Sequence, residues 1–161
     1  MNNPANPAAE ADELLSVHIR RIFPVSRKRV FEAWTSPEVL RLWWGPKGYN
    51  SRSAQADPRP GGAFSIEIEG PDGEVHVMSG FYTEVVRPEL VCMEIRHRMI
   101  EGAAERPEGY IPTQVRVELR EHSEGTELIL LHTGFLDAAL ASRFNGGWAS
   151  SFDKLETALA S

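Results

Sequence analysis

Residues 137–160 read DAALASRFNGGWASSFDKLETALA, and the fold turns on them. Trp148, Phe152, Leu155 and Leu159 recur there at spacings of four, three and four, the apolar stripe of a helix with one buried face. Such a helix needs an apolar surface to lie on, and the segments before it supply one. Residues 113–121 and 126–133 alternate apolar with polar around Ser123-Glu124-Gly125, so Val115, Val117 and Leu119 face one way. Leu128, Leu130 and His132 do the same on the partner strand.

Working outward, residues 74–86 and 89–99 read as two more strands around Arg87-Pro88, and residues 63–69 as another carrying Phe64, Ile66 and Ile68. Pro71-Asp72-Gly73 has the chemistry of a hairpin turn, with Pro fixing φ and Gly accepting a positive one. A polar loop is expected over residues 101–112, and a further strand over residues 49–57. The chain opens with a strand at residues 15–23, followed by two short helices. Ser26 is the expected cap of the first; Ser36 and Pro37 occupy the cap and first turn of the second. The pattern is α+β: a curved antiparallel β-sheet wrapped around a long C-terminal α-helix, with two short helices after the first strand. Residues 1–12, rich in Asn, Pro and Ala, are expected to be a disordered tail, and residues 13–161 a single domain.

The 161 residues carry seventeen basic and twenty-three acidic side chains, a net charge of −6. That balance points away from nucleic acid and from anionic membrane surfaces. No apolar run approaches the ~18 residues of a membrane span, and the first residues lack a signal-peptide pattern, so a cytoplasmic location is expected. The single cysteine, Cys92, excludes an intrachain disulfide and multi-cysteine metal sites. It has no basic neighbours in sequence to make it a nucleophile. The five histidines show no helical i, i+4 pair, and neither a metal nor a cofactor is expected. The signatures of serine hydrolases, zincins and nucleotide-binding loops are absent from the sequence.

Three features point to a cavity between sheet and helix. Strand parity turns His132 inward, either as a hydrogen-bonded core residue or as a polar contact at a cavity rim. Gly146 and Gly147 sit inside the helix at a cost of about 1 kcal/mol each relative to Ala, which calls for a bend, a close approach or empty space. The hairpin of residues 74–99 has two readings. With a tight turn, Tyr82 lies opposite Glu94, and either the Val77, Phe81, Met93 face or the Tyr82, Glu94 face points inward. A one-residue bulge would exchange the two.

The sequence also resembles a known family. Val30-Phe31-Glu32-Ala33-Trp34 with Ser36-Pro37, Leu42-Trp43-Trp44-Gly45-Pro46, and Gly61-Gly62-Ala63-Phe64 are similar to the opening of the activator-of-heat-shock-protein-ATPase homologues. Gly80-Phe81-Tyr82-Thr83-Glu84-Val85, Gly125-Thr126-Glu127-Leu128, His132-Thr133-Gly134-Phe135 and Gly147-Trp148 with Phe152-Asp153-Lys154-Leu155 continue the likeness. The resemblance implies the START-like helix-grip fold, shared with polyketide cyclases and birch-allergen proteins, and a cavity for apolar small molecules. It names no catalytic set. The leading expectation is a binding module for a lipid-like or aromatic ligand, with Trp43, Phe64, Ile66, Phe135, Trp148 and Phe152 as walls and Tyr82, Glu94 and His132 as polar contacts. A cyclase- or hydrolase-type enzyme using His132 or Glu94 as base stays open. So do a stress-related regulator of a chaperone ATPase and a homodimer.

Overall fold

A computed structural model describes residues 15–101, 104–106 and 112–160. The expected tail at residues 1–12 lies outside them. The order of elements is β1 (Val17–Phe23), α1 (Arg27–Thr35), α2 (Pro37–Trp43), β2 (Asn50–Ala56), β3 (Ala63–Glu69), β4 (Val75–Val86), β5 (Leu90–Glu101), β6 (Ala104–Arg106), β7 (Thr113–His122), β8 (Gly125–Thr133) and α3 (Ala138–Leu159). All pairings are antiparallel, and the sheet runs β1-β8-β7-β5-β4-β3-β2. The short β6 pairs with the far end of β5, at Met99 to Glu101. Part of the stretch read as a loop is therefore strand. Its residues 102–103 and 107–111 lie outside the described ones.

The long helix starts where its sequence says it should: Asp137 accepts a hydrogen bond from the Leu140 N–H at 2.7 Å. It buries Ala141, Trp148, Ser151, Phe152, Leu155 and Leu159 against the sheet. Ser26 caps α1 by accepting from the Arg29 N–H, whereas the Ser36 hydroxyl turns to Glu38 instead of capping α2. Pro37 opens α2 without loss, because a first-turn N–H has no helical partner anyway. These two helices deliver Trp34, Leu40 and Trp43 to the core with no exposure. Their indoles meet Trp148 and Phe152 of α3 in one aromatic cluster, with the Trp34 and Trp43 centroids 4.9 Å apart.

The hairpin β4–β5 contains the bulge. Register shifts between Tyr82 and Glu84, leaving Thr83 as the extra residue. The result mixes the two sequence readings. Tyr82, Gly80 and Met78 of β4 share the inward side with Met93 and Ile95 of β5, and Val85 rejoins it beyond the bulge opposite Val91. Phe81 turns outward and is 38% exposed. Tyr82 is paired with Met93, and Glu94 with Phe81.

Candidate functional site

The sheet leaves room beside the first half of α3. A pocket of about 190 Å³ opens there between β3, β4 and β5 on one side and the first half of α3 on the other. Ile68, Met78 and Ile95 form its sheet wall, Leu140, Phe144, Gly147 and Trp148 its helix wall, and Trp44 to Tyr49 its rim. The rim is tied down from α3. Lys154 Nζ donates to the carbonyl oxygens of Gly45 and Tyr49, both at 3.0 Å, and the Lys47 N–H donates to Ser150 Oγ at 2.8 Å. Burial lowers the Lys154 pKa.

One of the two helix glycines now has an explanation. A Cβ built on either Gly146 or Gly147 would meet nothing within 4 Å, so neither marks a close approach. Gly147 lines the pocket, and its missing side chain is part of the empty volume.

His132 sits at the pocket's inner end and is fully buried. Its Nδ1 accepts from the Trp148 indole N–H at 3.0 Å. That acceptance assigns the proton to Nε2, which donates to Thr113 Oγ1 at 2.6 Å. The Thr113 hydroxyl passes its own proton to the Ile95 carbonyl at 3.3 Å. Both ring nitrogens are thus committed, and burial pulls the His132 pKa down to about 3. The ring is a neutral strut between helix and sheet.

A pair of imidazoles, not anticipated in the sequence, lies on the sheet wall of the pocket. His76 Nδ1 and His97 Nε2 are 2.9 Å apart. The rings are tilted by only 11°, with centroids 5.2 Å apart. That spacing is too wide for face-to-face stacking and fits two rings edge to edge in nearly one plane. Tyr49 stands edge-on to His76, and burial with Glu74 close by raises its phenol pKa. Burial, with His76 and Arg143 alongside, takes His97 down to about 4. Burial also lowers His76, against the opposing pull of Glu74. The signal that could have found this pair is strand parity: His76 shares a face with Met78, and His97 with Ile95.

Of the nine residues named from sequence, His132 and Trp148 line the pocket. Phe135 stands one layer behind, 4.4 Å from the His132 ring. Trp43, Phe64, Ile66 and Phe152 are packed core away from it. Trp43 donates its indole N–H to the Ala33 carbonyl at 2.9 Å, and Phe64 rests on Tyr82. Tyr82 is a structural anchor, its hydroxyl donating to the Trp34 carbonyl at 2.9 Å while burial raises its pKa. Glu94 lies on the outer face, 3.7 Å from Arg96, because the bulge breaks the register that would have paired it with Tyr82. Cys92 does have a basic neighbour across the strands, Arg116 at 3.8 Å, yet burial outweighs it and the thiol pKa rises. Among the described residues no three metal-ligating side chains cluster, and no helix is long and apolar enough to cross a membrane.

A curved sheet gripping one long helix, entered through two short helices, is an arrangement shared with known proteins. The family model for Activator of Hsp90 ATPase homolog 1-like protein matches residues 24–160. The chain belongs to that family. In fold the chain is similar to protein CV1439 from Chromobacterium violaceum, with 24% identity over 88% of this chain and 95% of that one and a TM-score of 0.76. It is similar to protein NE0264 from Nitrosomonas europaea at 24% identity, 92% and 96% coverage and a TM-score of 0.75. An AHSA1 protein from Silicibacter pomeroyi shares 25% identity over 90% of this chain and 97% of its own, with a TM-score of 0.74. No curated protein matches the chain.

Proposed function

We propose that this member of the family is a binding module for a small aromatic molecule, held between the sheet and the first half of α3. The observation that carries the reading is the helical Gly147 beside Trp148. A position that costs helix stability faces empty, apolar-walled space opposite Ile68, Met78 and Ile95. Size narrows the ligand class. About 190 Å³ is close to the ~150 Å³ of an apolar cavity that takes benzene, and below the ~300 Å³ at which drug-sized sites begin. One or two fused rings suit it better than an acyl chain. Trp44, Phe144 and Trp148 offer faces and edges for such rings.

Benzofuran, an apolar bicycle without a hydrogen-bond donor, is the test probe. Calorimetric titration is expected to give saturable binding of one molecule per chain, with amide shifts concentrated at Ile68, Met78, Ile95 and Gly147. Gly147→Leu fills the pocket and is expected to abolish binding while the chain stays folded. Absence of saturable binding to the native protein would sink the proposal.

A further inference from the structure

The His76–His97 pair is committed at its inner nitrogens and open at its outer ones. One N–H is shared between His76 Nδ1 and His97 Nε2, and two arrangements of it exist. If His76 supplies the proton, its Nε2 is left bare and buried, and His97 Nδ1 carries a hydrogen toward its surroundings. If His97 supplies it, His76 Nε2 carries a hydrogen and His97 Nδ1 is a bare acceptor. The surroundings choose between them. His76 Nε2 is buried without a hydrogen-bond partner among the described residues, and Glu74 Oε1 is 3.8 Å away. Glu74 is itself fixed, accepting from the Asp72 N–H at 3.1 Å. A carboxylate facing Nε2 favours a hydrogen there, which places the shared proton on His97 Nε2 and leaves His97 Nδ1 bare.

We infer that His97 Nδ1 is the hydrogen-bond acceptor for a ligand N–H or O–H, held in the accepting tautomer by Glu74 acting through His76. This rests on the pocket reading above and narrows its ligand to aromatics that carry a donor, such as indoles and phenols. His97 lines the pocket among Met78, Ile95 and Phe144, and the Phe144 ring meets it edge-on at 5.8 Å. No described residue partners its Nδ1. Other charged and titratable groups around the pair are consistent with neutral rings. Arg143 of α3, whose charge reaches His97 from across the pocket, opposes a proton there, and the Tyr49 ring meets His76 edge-on. Glu74 and His76 are positioning residues; His97 alone touches the ligand.

Two experiments on the native protein decide the matter. Indole and benzofuran have nearly the same shape, and only indole carries an N–H. Indole is expected to bind about tenfold tighter, the increment of one net neutral hydrogen bond. His97→Phe should erase that preference, read as the ratio of the two affinities rather than as either affinity alone. Equal affinities in the native protein overturn the inference and leave the pocket reading intact, whereas failure of both probes to bind overturns both. Long-range proton–nitrogen correlation spectra read the tautomers directly. His97 is expected as the Nε2–H form in the native protein, with that form losing population in Glu74→Gln. A native His97 protonated on Nδ1 refutes the assignment, whatever the variants do.

Discussion

At the scale of single residues, His132 shows what a buried imidazole does when both nitrogens are used. It accepts a hydrogen bond from the Trp148 indole N–H and donates one to the Thr113 hydroxyl, joining helix to sheet by a path that needs the neutral ring. His132→Leu keeps an apolar body but strands the indole N–H and the threonine hydroxyl, at a cost of about 1–3 kcal/mol near pH 7. The folded-state pKa of about 3 lies below the ordinary value of 6.5. As pH falls through 6.5 the unfolded chain takes up this proton first, and the stability tied to the neutral ring is lost progressively toward pH 3. The penalty of His132→Leu is therefore expected to shrink below pH 6.5, by up to about 1.4 kcal/mol per pH unit. Urea midpoints of both proteins at about pH 7, 5.5 and 4.5, one point above the window and two inside it, check it; a penalty independent of pH would contradict the neutral-strut reading.

At the scale of elements, α3 and the β4–β5 hairpin show which signals travel through sequence. Gly146→Ala and Gly147→Ala each relieve a helix of a glycine and meet no obstacle, so each is expected to stabilise by about 1 kcal/mol. Only Gly147→Ala should weaken benzofuran binding, since Gly146 is not part of the pocket wall. Denaturant midpoints and titrations on both variants separate the two effects. Gly80 behaves oppositely. A Cβ there would sit 1.9 Å from the Glu94 carbonyl oxygen, so Gly80→Ala must push β4 from β5. Its expected cost is at the upper end of the about 1–3 kcal/mol typical of overpacking, again read from the midpoint. The helix stripe at Trp148, Phe152, Leu155 and Leu159 was legible because helical spacing is a local property, as was the Ser26 cap. The hairpin was not, since its register depends on Thr83 slipping out of the ladder and nothing in Tyr82-Thr83-Glu84 announces a bulge. The same limit hid the site. His76 and His97 lie 21 residues apart, and only the completed β4–β5 pairing makes them neighbours. Phe64, Ile66 and Phe152 were legible as inward-facing, but parity does not say which inward residues pack solid and which border a space.

At the scale of the whole molecule, the helix is held to both ends of the sheet system. Arg21 of β1 reaches Asp153 and Glu156 at 2.7 Å each, and Lys154 holds the Gly45–Tyr49 rim from the other side. Lys154→Met retains the aliphatic stem and removes two hydrogen bonds from a charged donor, for an expected loss of about 1.5–3 kcal/mol. Amide exchange at Gly45 to Tyr49 should quicken more than exchange in β7 and β8, because the loop loses its tether while the ladder keeps its own bonds. Uniform acceleration across the chain would show that Lys154 supports the fold as a whole rather than the rim. The closing contacts of this fold join distant parts of the chain: β1 pairs with β8, and the Arg20–Glu127 bridge spans 107 residues. On the ribosome β1 emerges early and α3 after all the strands. At about 5–20 residues per second, the 22 residues of α3 take about one to four seconds to make. Through that interval every strand exists, yet the helix that covers their shared apolar face has not arrived. The order of the elements thus builds a moment of exposure into synthesis, which ends when α3 closes over the sheet.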